Sequence, residues 1–362
     1  MKQKYSLCKE VEIVTKNYYH VLEVEINKVR GRAHREGSME SIDGVTQNGM
    51  IKMTGVIQSS ISRAISARGI QHIPKATKFN VRYTVSDTRK VVSSFISSKM
   101  KVKKKIQCFY NFKGGVGKTT VCFQVASHLA FMGFNVLVID ADPQGHLSTS
   151  LGFDNTDRFY TLHDAISRVK SIGEIIKNVY EGLDCIPSNL SLTKAEVTLN
   201  ELPKREERVK LLIQEVADKY DFIIFDTNPT ISYLNRNIIT CSDVINIVVE
   251  TQAYALNGVK LLMNDMQSFV SHMMMKMPEI LMFPNKYEDR SATSAEAMTV
   301  LSRYYSEYLM PNFAIRKSEE FNVSSKQSKP LAFFCRNNSI AFEDIIEVIY
   351  YILEKSCEKV GR

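Results

Sequence analysis

No stretch of about 18 consecutive apolar residues occurs in this 362-residue chain, so no membrane-spanning helix is expected. The opening residues, Met1-Lys2-Gln3-Lys4-Tyr5, run into mixed charge and lack the apolar core of a secretory leader. Cysteine is sparse: seven are scattered at positions 8, 108, 122, 185, 241, 335 and 357. Their number is odd and none forms a C-x-x-C pair, which argues against a disulfide framework. A reducing cytoplasm is the expected setting. Cys108, Cys122 and Cys241 lie in apolar segments and read as small core residues. Acid is scarce at the front of the chain. Residues 1–105 hold 8 Asp and Glu against 21 Lys and Arg, while residues 106–362 hold 31 against 26. A +13 surplus followed by a −5 deficit suggests a nucleic-acid-binding segment ahead of the main domain, with a solvated basic surface as the alternative. Hydrophobic content of 44% and charged content of 24% are ordinary for a globular protein, and the length allows two domains.

The most informative stretch is Lys113-Gly114-Gly115-Val116-Gly117-Lys118-Thr119-Thr120, directly after the apolar run Ile106 to Phe112. It is a phosphate-loop pattern ending in Gly-Lys-Thr, with an extra lysine, Lys113, at its start. Glycines let backbone amides close around phosphate oxygens because no Cβ blocks the turn. The following helix points its positive end at the same phosphates. Lys118 would reach the β- and γ-phosphates, and the Thr119 hydroxyl would bind Mg²⁺.

Three further apolar runs end in polar groups. Residues 135–145 form an expected strand ending in Asp140 and Asp142, within Asp-Ala-Asp-Pro-Gln-Gly. Residues 220–229 form another, ending in Asp226, and residues 281–287 a third, ending near Asn285. The C-terminal ends of strands are where open α/β sheets bind ligands. Strands are expected near 106–111, 135–140, 183–187, 221–226, 243–249 and 279–283, and helices near 118–132, 192–219, 254–270, 293–309 and 341–356. That alternation predicts an α/β domain with a parallel sheet covered on both faces.

These motifs together resemble the deviant Walker A ATPases of the ParA/MinD family, over nearly all of residues 106–345. The resemblance implies ATP and Mg²⁺ as cofactors, with Gly114 to Thr120 cradling the nucleotide and Asn285 near adenine. It implies that Lys113 contacts the nucleotide of a partner subunit, so that ATP holds a homodimer together. Asp142 would place the attacking water and Lys118 would stabilise charge, giving Lys113, Lys118 and Asp142 as catalytic candidates. Asp226 would hold Mg²⁺ through water beside Thr119, with Asp140 close to the metal. Asn228 stands where the family usually has two prolines or a small residue. Ala314 to Glu320 falls where family members carry a basic residue for sequence-independent DNA binding, which nominates Arg316 and Lys317; pairing with Glu319 or Glu320 is the alternative.

Ahead of this domain, apolar residues at steps of three and four over residues 5–33 predict a helix. It would form a dimer seam or pack onto its own domain. Two short helices are expected to meet near Gly55. The second would bury Ile61 and Ile65 and present Ser59, Ser60, Ser62 and Arg63, a composition suited to a DNA groove. A β-hairpin flanked by Lys75, Lys78 and Arg82, and a helix capped by Ser86, would follow. This order resembles the winged helix-turn-helix of the larger plasmid partition ATPases; a helical dimerisation domain that never touches DNA is the alternative. Lys99 to Lys105 reads as a basic linker or a solvated hinge. Met273, Met274, Met275 and Met277 read as flexible core filler, or as a partner contact.

The expected organisation is a dimerisation helix over 1–36, a winged helix-turn-helix with basic linker over 37–105, and a phosphate-loop ATPase domain over 106–362. The resemblance implies a cytoplasmic, nucleoid-associated partition ATPase. Its ATP-bound dimer would bind nucleoid DNA non-specifically, and a centromere-binding ParB-like adaptor would stimulate hydrolysis. Operator binding would repress its own operon. A MinD-like membrane switch would need a basic amphipathic C-terminal helix, whereas residues 341–354 carry Glu343, Asp344, Glu347 and Glu354. An iron–sulfur reductase relative lacks a paired-cysteine pattern. A nucleotide-responsive transcription regulator with a vestigial site sits poorly with intact Lys118, Thr119, Asp142 and Asp226.

Overall fold

The computed structural model describes residues 44–73, 81–154, 159–252, 255–334, 336 and 338–360. The expected dimerisation helix over 1–36 and most of the expected hairpin lie outside the described residues. Within them, β1 (Val45–Thr46) leads into α1 (Gln47–Thr54), whose first turn is capped by the Thr46 hydroxyl accepting from the Gly49 amide. Gly55 ends α1 at φ 66°, a left-handed conformation that costs glycine little, and turns the chain into α2 (Gln58–Ala67). Two helices therefore meet at Gly55, and α2 buries Ile61 and Ile65, as the apolar spacing predicts. Next, β2 (Arg82–Tyr83) pairs antiparallel with β1, so its partner strand lies before the helix pair. The next helix, α3 (Val85–Val92), is capped by Thr84 and not by Ser86; the Thr84 hydroxyl accepts from the Asp87 amide one turn in.

The basic run is built into the fold. Within it β3 (Met100–Val102) pairs antiparallel with the last strand, Lys103 pairs with Glu358, and the Lys105 ammonium donates to the Ala217 carbonyl.

The central sheet is laid down by β4 (Ile106–Phe109), β5 (Val136–Ala141), β6 (Lys177–Tyr180), β7 (Leu183–Ile186), β8 (Phe222–Thr227), β9 (Val244–Glu250) and β10 (Glu279–Asn285). The last strand of the chain, β11 (Cys357–Lys359), is the partner of β3. Spatial order in the sheet is β10-β9-β4-β8-β5-β7-β6, parallel throughout except for the β6–β7 edge. After β4 the chain moves one way to β5, and after β8 it moves the other way to β9. The crevice where those directions part lies at the C-terminal end of β4, where the phosphate loop begins.

Strand alternation divides the core. Val136, Val138, Phe222 and Ile224 face one layer, and Leu137, Ile139, Ile223 and Phe225 face the other. The first layer holds α4 (Lys118–Phe131) and a long C-terminal helix, Ile340–Ser356, together with the N-terminal helices. Val45, Met50, Met53, Ile61 and Val91 thus share one apolar cluster with the phosphate-loop helix. Arg89 of α3 fastens this contact by donating to the carbonyls of Ala130 and Phe134 at the end of α4. The Tyr350 hydroxyl donates to the Met53 carbonyl at 2.7 Å, and Lys52 pairs with Glu343.

The helix expected over 192–219 is broken. It forms helices Lys194–Glu201 and Arg208–Gln214, because Pro203 cannot continue the first and Lys204 turns left-handed at φ 50°. In the methionine cluster Met273, Met275 and Met277 pack against the second layer, while Met274 is exposed.

Candidate nucleotide site

The site grows from the ends of β4, β5, β8, β9 and β10. Residues 110–117 leave β4 as a loop in which Gly115 (φ 72°) and Gly117 (φ 96°) take left-handed backbone, and α4 starts at Lys118. No side chain caps α4, so its first amides are available to an anion. Gly114 and Gly115 have nothing within 4 Å of where a Cβ would stand, which leaves the loop surface open. Val116 packs into the core and anchors the loop from below.

Lys118 is buried, and its ammonium reaches the Lys113 carbonyl at 3.2 Å. Burial lowers its pKa, while Asp226 and Asp142 pull it back up. Asp140 and Asp226 lie side by side in the register of β5 and β8, both fully buried. Asp140 is well held: it accepts from the Asp142 amide at 3.1 Å, the Ser148 amide at 2.8 Å and the Ser148 hydroxyl at 2.6 Å. Burial nonetheless pushes its carboxyl up to about 6. Asp226 is equally buried but is not held in this way. Neither of its oxygens has a hydrogen-bond partner of ordinary geometry. Its pKa is raised well above the carboxylate range, by burial first and by Asp140 second, and Thr119 and Lys118 offset part of that rise.

A buried carboxylate without a partner is costly unless something cationic completes it. Asp226, Asp140 and the Thr119 hydroxyl form a hard oxygen set of the kind Mg²⁺ takes. Among the described residues no three His, Cys, Asp or Glu side chains gather as a metal cage, so phosphate oxygens and water would complete the shell. Asp142 is half-buried, and its Oδ1 accepts from the Gln144 amide at 2.9 Å. Thr120 sits half-buried in the first turn of α4.

Asn285, at the end of β10, is buried and donates its amide to the Val116 carbonyl at 2.7 Å. Lys113 is rooted by its amide on Asn111 Oδ1 at 3.0 Å, and its ammonium meets Glu250 Oε2 at 2.6 Å. Asn111 in turn donates to the Val248 carbonyl at 2.7 Å. The sequence alone does not single out Asn111, Ser148, Glu250 or Lys286. Glu250 ends an apolar strand, as Asp140 and Asp226 nearly do, so the same rule would have found it.

The basic candidates lie elsewhere. Ser59 and Arg63 are exposed on α2, Ser60 is half-buried, and Ser62 accepts from Gln47 of α1 at 2.7 Å. Arg316 grips the buried Asp344 with its side chain at 2.5 Å, and Lys317 pairs with Glu288 at 2.8 Å, so neither uses Glu319 or Glu320. The C-terminal helix that carries Asp344 buries its apolar face in the core. No helix among the described residues is long and apolar enough to cross a membrane.

Comparison with known proteins agrees with this geometry. A family model described as an AAA domain matches residues 104–278. The chain is 30% identical over 250 residues to the cell division protein PomZ of Myxococcus xanthus, covering 69% of this chain and 78% of PomZ. It is 36% identical over 170 residues to the sporulation initiation inhibitor protein Soj of Bacillus subtilis, covering 47% of this chain and 67% of Soj. Among solved structures, the ATP complex of a McdA variant from Cyanothece superposes with a TM-score of 0.63 at 20% identity, over 72% of this chain and all of McdA. At that identity the superposition speaks for the fold alone.

Proposed function

Because the chain belongs to the ParA-type family of partition ATPases, we propose that it binds ATP with Mg²⁺, dimerises around the nucleotide, and hydrolyses it to drive DNA segregation. The observation that carries this reading is the pairing of an open phosphate loop with an orphaned buried carboxylate, Asp226, beside Thr119 and Lys118. Bound Mg²⁺ would neutralise charge on the phosphates. Lys118 binds and orients the β- and γ-phosphates, and its ammonium offsets the charge that builds as the terminal group leaves. Asp142, at the exposed edge, orients water for in-line attack. Lys113 serves the nucleotide of the second subunit.

DNA enters the proposal through charge. The ATP-bound dimer would bind nucleoid DNA through phosphate contacts, with Arg316 and Lys317 as candidates. The helix pair meeting at Gly55 supports a winged helix-turn-helix reading, with Ser59, Ser60, Ser62 and Arg63 toward operator DNA. A centromere-binding ParB-like adaptor would stimulate turnover.

The test is ATP binding and Mg²⁺-dependent phosphate release by the full chain. Lys118→Ala should lose nucleotide binding while remaining folded; unchanged affinity in that variant would sink the assignment.

A further inference from the structure

One carboxylate beside the phosphate loop serves two lysines. Glu250, the last residue of β9, is 8% exposed. Its Oε2 takes the Lys113 ammonium at 2.6 Å and its Oε1 takes the Lys286 ammonium at 3.2 Å. Burial alone would raise this carboxyl, but the two lysines hold it below its ordinary value. Lys286 comes from a left-handed residue at φ 56°, a costly backbone for a lysine, and also donates to the Gly115 carbonyl at 2.7 Å. Lys113 is fixed at both ends, since Asn111 ties its amide to the same strand. A lysine whose amine rests on a carboxylate of its own chain cannot also reach a phosphate held by another subunit.

We propose that Glu250 is a positioning residue that latches Lys113 onto its own subunit and so sets the threshold for nucleotide-driven dimerisation. The inference rests on the reading that Lys113 acts in trans. A γ-phosphate of the second subunit offers more negative charge than one shared carboxylate, so Lys113 transfers when ATP is present. ADP lacks that group, and the latch stays closed. Lys286 shares Glu250 with Lys113 and thereby weakens the latch.

The test is sedimentation of the full chain over a concentration series with Mg²⁺ and AMPPNP, alongside monomer affinity for a fluorescent ATP analogue. Glu250→Gln should lower the dimer dissociation constant roughly tenfold, because two partly exposed ion pairs are released per dimer. In a Lys113→Ala background Glu250→Gln should change nothing, since the pair acts as a unit. Lys286→Met should shift dimerisation the opposite way by leaving Glu250 to Lys113 alone, which keeps the idea testable if Glu250→Gln folds poorly. Unchanged or weaker dimerisation in folded Glu250→Gln overturns the latch, as does the same gain in the Lys113→Ala background. A wild-type chain that binds AMPPNP yet stays monomeric refutes the trans reading itself, and the latch with it.

Discussion

The Asn285 amide donates to the Val116 carbonyl at 2.7 Å, and the same nitrogen occupies the space a Cβ on Gly117 would need. The end of β10 and the phosphate loop are therefore in direct contact through a glycine. Gly117 also has φ 96°, where an alanine is strained by roughly 1–3 kcal/mol. Gly117→Ala is expected to lower the melting temperature and to abolish ATP binding together. A melt and a nucleotide titration on the same sample check this; full ATP affinity in Gly117→Ala contradicts the tight packing of the loop on Asn285.

Asp142 is expected to act after binding. Its side chain is half-buried at the mouth of the site and accepts only a local amide, so its removal leaves no buried orphan. Asp142→Ala should bind ATP with affinity close to wild type and hydrolyse it on the order of a hundredfold more slowly, within the usual range for a positioned acid–base group. Single-turnover phosphate release measures this. Normal turnover removes Asp142 from the mechanism.

Two neighbouring basic residues should part company. Arg316 holds the buried Asp344, so Arg316→Ala strips that carboxylate of its cation, leaves it only the amide of residue 316, and should cost stability, by about 1–3 kcal/mol. Lys317 makes an exposed pair with Glu288 and is free to exchange it for a phosphate. Lys317→Ala, like Arg63→Ala on α2, should leave stability unchanged and reduce the salt slope of DNA binding by about 1. Denaturant melts with salt-dependent DNA titrations separate these effects. A Lys317→Ala variant with an unaltered slope removes that residue from the DNA contact.

His128 couples the phosphate-loop helix to the acid stability of the fold. It is fully buried, with Nδ1 on the Gln124 carbonyl at 2.7 Å and Nε2 accepting the Ala332 amide at 3.3 Å. Burial lowers its pKa to about 4, although the Gln124 contact opposes that. The unfolded chain takes up this proton near pH 6.5 and the folded chain near 4, so stability falls as pH drops through that window, by about 3 kcal/mol in all. Urea melts between pH 7 and 4 should show a shallower decline in His128→Gln. An identical decline assigns the acid sensitivity to other groups.

The sheet was legible because its strands are buried on both faces and read as apolar runs with an acid at or next to the end, as Val136–Ala141 and Phe222–Thr227 do. The edge strand Lys177–Tyr180 was not, because none of its residues is fully buried, Lys177 and Asn178 are exposed, and its pairing with β7 is antiparallel. Phosphate-loop residues announce themselves by local spacing. Glu250 and Lys286 meet Lys113 only through strand order, which places β9 beside β4 and β10 beside β9. The basic run at 99–105 shows the same limit: its charge is visible in the sequence, but its pairing with Cys357–Lys359 depends on a segment more than 250 residues away.

The most direct test of the account is binding of the full chain to random duplex DNA with ATP, with ADP and without nucleotide, at about 50 and 200 mM salt. Binding is expected to require ATP and to fall steeply with salt, since phosphate contacts release counterions. Binding that ignores the nucleotide, or no binding under any condition, would contradict it.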